Sequence, residues 1–80
     1  MMNAKEMFEK LGYKVSVDYN DIVIYKYEYP LGGSKELIFH KKDDGMFIDY
    51  SFKGNATTFL KYKELQAINK QLEELGWNSE

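Results

Sequence analysis

One five-residue signal is used twice in this sequence. Glu9-Lys10-Leu11-Gly12-Tyr13 and Glu73-Glu74-Leu75-Gly76-Trp77 each place a glycine after an apolar residue and an aromatic residue after the glycine. A glycine there ends a helix, because it enters the left-handed conformation without a Cβ penalty, and the residue that follows packs back on the last turn. The two copies share helix-end chemistry and are not an internal repeat. They leave the middle of the chain to another kind of structure.

Residues 3–11 fit the first helix. Ala4, Met7, Phe8 and Leu11 recur at helical spacing, Asn3 is a fitting N-cap, and Tyr13 is expected to pack on Phe8. In the last helix Leu65, Ile68, Leu72 and Leu75 form a single apolar seam, and Trp77 is expected to fold onto Leu72. Its start is open: Thr57 or Thr58 could cap it, or Phe59 and Leu60 could still be extended.

Between the helices, residues 13–19 and 22–29 are rich in β-branched and aromatic types around Asn20-Asp21, and residues 35–42 and 46–53 flank Asp43-Asp44-Gly45. Asp-Gly is a strong hairpin signal and Asn-Asp a weaker one. Pro30-Leu31-Gly32-Gly33-Ser34 is a loop between two hairpins.

With Asp44-Gly45 as a two-residue turn, Phe39 faces Tyr50, Leu37 faces Phe52 and Lys41 faces Ile48, which puts Leu37, Phe39, Ile48, Tyr50 and Phe52 on one face. The same exercise at Asn20-Asp21 groups Val15, Val17, Tyr19, Ile22 and Ile24 and sets Val23, Tyr25, Tyr27 and Tyr29 on the opposite face. The expected architecture is a two-layer α+β domain over residues 1–80: helix, four-stranded antiparallel β-meander, helix, with both helices on one face of the sheet. Its outer face is then expected to carry Tyr25, Tyr27, Tyr29 and Phe47, with His40. Such a row has three readings: tyrosines that simply stabilise a half-exposed sheet by cross-strand contacts, an interface with another protein or a second copy, or a platform on which nucleic acid bases stack.

Composition narrows the function classes. The chain has 80 residues, 44% hydrophobic and 30% charged, which argues against disorder. Seven of its thirteen aromatic residues are tyrosines. A net charge of −2 gives no global pull toward nucleic acid or an acidic membrane. With no cysteine there is no disulfide framework and no thiolate zinc site, so stability must come from packing or association. The first residues lack the apolar run of a signal peptide, and no segment is long and apolar enough to span a membrane as a helix; a cytoplasmic protein is expected.

Candidate chemistry is sparse. His40, the single histidine, is expected opposite Asp49, an arrangement able to orient a base, but no nucleophile accompanies it. Asp43-Asp44-Gly45 lacks the spaced acidic pattern of a calcium loop, and Gly32-Gly33-Ser34 fits no phosphate-binding motif. Lys61, Lys63 and Lys70, interleaved with Glu64, Glu73 and Glu74, read as a mixed solvated helix face. No catalytic, cofactor-binding or metal-binding residue is therefore expected, and no enzymatic activity.

The opening stretch from Ala4 to Tyr13 (AKEMFEKLGY) and the closing stretch from Lys63 to Trp77 (KELQAINKQLEELGW) together resemble a group of short proteins of phages and prophages of Gram-positive bacteria. In that group an amphipathic helix ending in Leu-Gly-Tyr precedes a β-rich middle and a closing Glu-Leu-x-Ala-Ile-Asn-Lys helix ending in Leu-Gly-Trp. Relatives often carry Thr or Ser where this chain has Lys61. The resemblance covers both ends and little of the middle. It implies a binding protein acting on a host or defence-system protein in the bacterial cytoplasm, in the manner of anti-CRISPR proteins, through either the Tyr face or the last helix. The alternatives are a homodimeric structural protein and a single-stranded nucleic acid or nucleotide-binding module.

Overall fold

The computed structural model describes residues 2–42, 45–54, 56 and 59–76, with residues 42, 45 and 46 described through their backbone. The chain runs α1 (Ala4–Lys10), β1 (Lys14–Tyr19), β2 (Ile22–Glu28), β3 (Gly33–Lys42), β4 (Gly45–Gly54) and α2 (Tyr62–Leu75). The strands form one antiparallel meander in the order β1-β2-β3-β4, as expected for the α+β class.

Both ends of α1 follow from its flanking residues. Asn3 Oδ1 accepts the Glu6 N–H at 2.8 Å and Glu6 Oε1 accepts the Asn3 N–H at 3.0 Å, a reciprocal capping box. At the other end Gly12 has φ +98°. Its N–H donates to the Glu9 carbonyl and the Tyr13 N–H donates to the Phe8 carbonyl, both at 3.0 Å. This double closure brings Tyr13 edge-on to Phe8 with ring centroids 5.4 Å apart.

Helix α2 starts at Tyr62, later than a threonine cap would place it. Lys61 stands at the cap position, and its N–H donates to Glu64 Oε1 at 2.7 Å. A lysine side chain has no acceptor for the helix amides, so only this half of a capping box is made. Gly76 ends the helix at φ +68°, donating to the Leu72 carbonyl at 3.0 Å. Thr57, Thr58 and Trp77 lie outside the described residues, as do Asp43 and Asp44.

The register differs from the expected one in both hairpins, with different consequences. Between β3 and β4, Lys42 pairs with Gly45, Phe39 with Ile48 and Leu37 with Tyr50. The pairing is two residues from that of an Asp44-Gly45 turn. A two-residue slip keeps every side chain on its face, so the expected grouping of Leu37, Phe39, Ile48, Tyr50 and Phe52 stands. Between β1 and β2 the expected pairs Tyr19–Ile22 and Val17–Ile24 form, but a bulge between Val15 and Val17 leaves Ser16 as the extra residue and moves Val15 opposite Tyr25.

The pairing of β2 with β3 decides the architecture. Strands β2 and β3 meet across a loop of three residues, Pro30-Leu31-Gly32: the Gly32 N–H donates to the Tyr29 carbonyl at 3.1 Å, and the Tyr29 N–H to the Gly33 carbonyl at 3.0 Å. Gly32 is left-handed at φ +98°, as such a loop requires. This odd length puts Val23 opposite Phe39, Tyr25 opposite Leu37 and Tyr27 opposite Lys35. The tyrosines of β2 therefore join the core face of β3, and Ile22 and Ile24 take the other face.

Both helices cover the tyrosine face. Phe8 of α1 stacks on Tyr25 with centroids 4.0 Å apart and meets Phe39 edge-on at 6.2 Å. Phe8, Tyr13, Val23, Tyr25, Leu37, Phe39, Ala67 and Ile68 make the core. The stripe that α2 buries is Glu64, Ala67, Ile68 and Gln71. It is rotated from the expected leucine seam: Leu65 is 45% exposed, while Leu72 and Leu75 pack at the core's margin. Glu74 Oε2 accepts the Ala4 N–H at 2.8 Å, tying the end of α2 to the start of α1.

Candidate functional site

The five residues expected to share one interaction surface are divided between two. Tyr25 is 3% exposed in the core, and Tyr27 and Tyr29 are half-buried on the helix side. The expectation that these three face outward is overturned by the β2–β3 pairing, which sets Tyr25 opposite Leu37 and Tyr27 opposite Lys35; the five-residue loop expected and the three-residue loop found are both odd, so either joins the tyrosines to the face of Leu37 and Phe39. Only His40 and Phe47 lie on the open face, as adjacent rings with centroids 5.4 Å apart and Phe47 42% exposed.

On the helix side the tyrosines organise a buried polar node. Lys35 occupies a core-face position of β3, and its Nζ meets Glu64 Oε2 of α2 at 2.8 Å, with side chains 7% and 6% exposed. The Tyr13 hydroxyl donates to the same Glu64 oxygen. The rings of Tyr13, Tyr27 and Tyr29 stand around the ammonium at 5.7, 5.7 and 5.8 Å, so cation–π attraction replaces part of its lost hydration. Beside it, the Tyr25 hydroxyl donates to Gln71 Oε1 at 2.5 Å. Glu64 thus caps its own helix and docks that helix on the sheet. The expectation that Glu64 sits on a solvated face fails because Lys35 and Tyr13 supply partners that make its burial tolerable.

The node is electrostatically at rest. Burial alone would disfavour the charged forms of Lys35 and Glu64. For Lys35 this is outweighed by hydrogen bonds to Glu64 and Tyr29 and by the Glu64 charge, so its pKa lies above the ordinary lysine value. For Glu64 it is outweighed by hydrogen bonds from Lys35, the Lys61 N–H and Tyr13, so its pKa lies below the ordinary carboxyl value. Burial, then the Glu64 contact, raises the Tyr13 hydroxyl far above the ordinary phenol range. Burial, with the carboxylates of Asp18, Glu74 and Glu9, pushes Tyr25 up to about 12. Each shift fixes the form already present at neutral pH, the reverse of what proton transfer requires.

A cleft of about 560 Å³ opens above the node between Leu11, Tyr27, Tyr29 and the first turn of α2, with Tyr62 and the lysines 61 and 63 at its rim. Among the described residues no group of three or more His, Cys, Asp or Glu side chains could hold a metal ion.

Among the described residues no helix covers the opposite face. Register places Tyr19, Ile22, His40 and Phe47 in one row across the four strands and Val17, Ile24, Ile38 and Asp49 in the next. The rows beyond hold Lys14, Lys26, Glu36 and Ser51, then Glu28, Ser34 and Lys53. The face is apolar toward the β1–β2 turn and mixed in charge toward the other end. His40 Nε2 lies 2.9 Å from Asp49 Oδ2, a diagonal contact, because His40 is directly opposite Phe47 and not opposite Asp49 as expected.

Sequence reasoning missed the Lys35–Glu64 node because hydrophobic patterning assigns charged residues to solvent. The available signal was Lys35 itself, two residues before Leu37 and in phase with Leu37 and Phe39 on an alternating strand. Among the described residues no helix is long and apolar enough to cross a membrane. In comparisons with protein-family models, curated proteins and solved structures, the chain has no match.

Proposed function

We propose that this chain is a non-enzymatic binding protein that docks the open face of its sheet on another protein. The phage-like ends make a protein of the bacterial host or its defence systems the partner of this reading. The observation that carries it is the apolar cluster of Val17, Ile22, Ile24, Ile38 and Phe47, with Tyr19 beside it, bordered by lysines and glutamates of both signs. An apolar centre with a polar rim suits a protein partner, whereas a nucleic acid would call for a predominantly basic face.

The test compares capture from a Gram-positive host lysate by the wild type, by Ile24→Lys/Ile38→Lys, and by Leu65→Lys on the exposed side of α2, each checked for an unchanged circular dichroism spectrum. A partner lost only with the sheet variant supports this reading. Loss with Leu65→Lys alone moves the site to the last helix, and equal capture by all three removes the open face as the docking surface.

The cleft supports a second reading, a nucleotide-binding module. Its tyrosine walls could stack a base while Lys61 and Lys63 meet phosphate. A thermal-shift series with nucleotides tests it: binding raises Tm progressively with ligand concentration, and a flat response removes it.

A further inference from the structure

The two edges of the sheet are unlike. Edge strand β1 is six residues long, interrupted by the bulge at Ser16 and flanked by Lys14 and Asp18. These are the devices by which a sheet edge is kept from pairing with another chain. Edge strand β4 is ten residues long, pairs with β3 without a bulge and contains no proline. It exposes large apolar side chains on both sides: Phe47 on the open face, Ile48 and Phe52 on the helix side.

The direction of its backbone follows from the ladder. The Lys41 N–H donates to the Asp21 carbonyl, so odd-numbered residues of β3 turn toward β2 and even-numbered residues toward β4. Their partners Phe47, Asp49, Ser51 and Lys53 therefore turn toward β3, and the main-chain groups of Ile48 and Phe52 point away from the sheet.

We propose that β4 pairs antiparallel with β4 of a second copy, joining two sheets into one of eight strands about a two-fold axis at Ser51. In that register Asp49 lies opposite the partner's Lys53, and Lys53 opposite the partner's Asp49. Tyr50 and Phe52 cross to the partner's Phe52 and Tyr50 on the helix side. The even-numbered residues meet backbone to backbone, as the outward main-chain groups require. Other registers of the same parity are poorer: an axis at Tyr50 sets Lys53 against the partner's Phe47, and an axis at Asp49 sets two carboxylates together. The charge pattern of the strand thus selects a copy of itself. All four helices fall on one side, and the two open faces merge into one surface. The dimer does not depend on the function proposed above.

Light scattering across a concentration series tests it. The wild type is expected at twice the chain mass of 9.4 kDa. Phe52→Pro removes an outward N–H that the β3 ladder does not use, and is expected to give the single-chain mass with an unchanged circular dichroism spectrum. Asp49→Lys and Lys53→Asp each place like charges opposite one another and are expected to raise the dimer dissociation constant about tenfold. The double exchange Asp49→Lys/Lys53→Asp restores the opposite charges and is expected to recover association. A wild type monomeric at every concentration, a dimer indifferent to Phe52→Pro, or an exchange that fails to recover pairing overturns the proposal. Should Phe52→Pro not fold, the charge exchange decides.

Discussion

Lys35 stands on the sheet where an apolar residue ordinarily would, and four residues make that possible: Glu64 with a charge, and Tyr13, Tyr27 and Tyr29 with ring faces. Removing one partner leaves the other charge buried and uncompensated, so Lys35→Met is expected to cost about 3–5 kcal/mol. The sign of the pH dependence follows from the two shifts. Glu64 is lowered from 4.5, so its contribution is complete above about pH 4.5 and is lost as the pH falls through its lower folded value. Lys35 is raised from 10.5, so its contribution is complete below about pH 10.5 and is lost as the pH rises through its higher folded value. Urea denaturation over a pH series is expected to show greatest stability between these limits. In Lys35→Met the acid flank should flatten, while the alkaline flank persists through Tyr13 and Tyr25, whose raised values cost stability as the unfolded phenols ionise above about pH 10; an acid flank as steep as in the wild type would assign it to other groups.

Helix α1 is only seven residues long and too short to persist alone, so its ends and its packing decide whether it forms. Gly12 serves both. Its φ of +98° closes the helix, and a Cβ there would stand 2.6 Å from Cε2 of Tyr27. Gly12→Ala is expected to lose at least about 1–2 kcal/mol from the left-handed backbone alone, a fall in Tm of roughly 4–16 °C for a domain of this size. Gly32 has the same φ, but its Cβ would meet nothing within 4 Å. Melting curves of Gly12→Ala and Gly32→Ala should therefore differ by the cost of displacing the Tyr27 ring, with Gly12→Ala the less stable. Equal losses would mean that the ring yields freely.

At the scale of the whole molecule the sheet has two unlike sides, and neighbouring residues of β3 test them. Leu37 is fully buried under the helices and Ile38 faces away from them. Leu37→Lys buries an unpaired charge and is expected to cost more than about 4 kcal/mol. Ile38→Lys loses only cross-strand contacts and is expected to cost about 0.2–1 kcal/mol. Urea denaturation of both variants reads the difference, and similar losses would contradict the assignment of faces. If β4 pairs with a second copy, the open face that Ile38 belongs to doubles in extent, which gives the docking reading a larger platform.

The elements, the hairpin order, the ends of α1 and the stop of α2 are legible in the residues alone, because caps, left-handed glycines and strand alternation are local chemistry. Also legible there is which residues of β3 and β4 share a face, because side chains alternate with period two and a two-residue error in register leaves that sharing intact. Which face of β2 the helices cover was settled by long-range pairing: hydrophobicity favours Ile22 and Ile24 for the core, whereas a β2–β3 loop of odd length, five residues as expected or three as found, sets the tyrosines with Leu37 and Phe39. Only the tertiary structure decided that α2 buries Glu64 and Gln71 while leaving Leu65 in solvent. A polar side chain is buried only where partners meet it, and those partners, Lys35, Tyr13 and Tyr25, are brought to it by strands and a helix end distant in the chain.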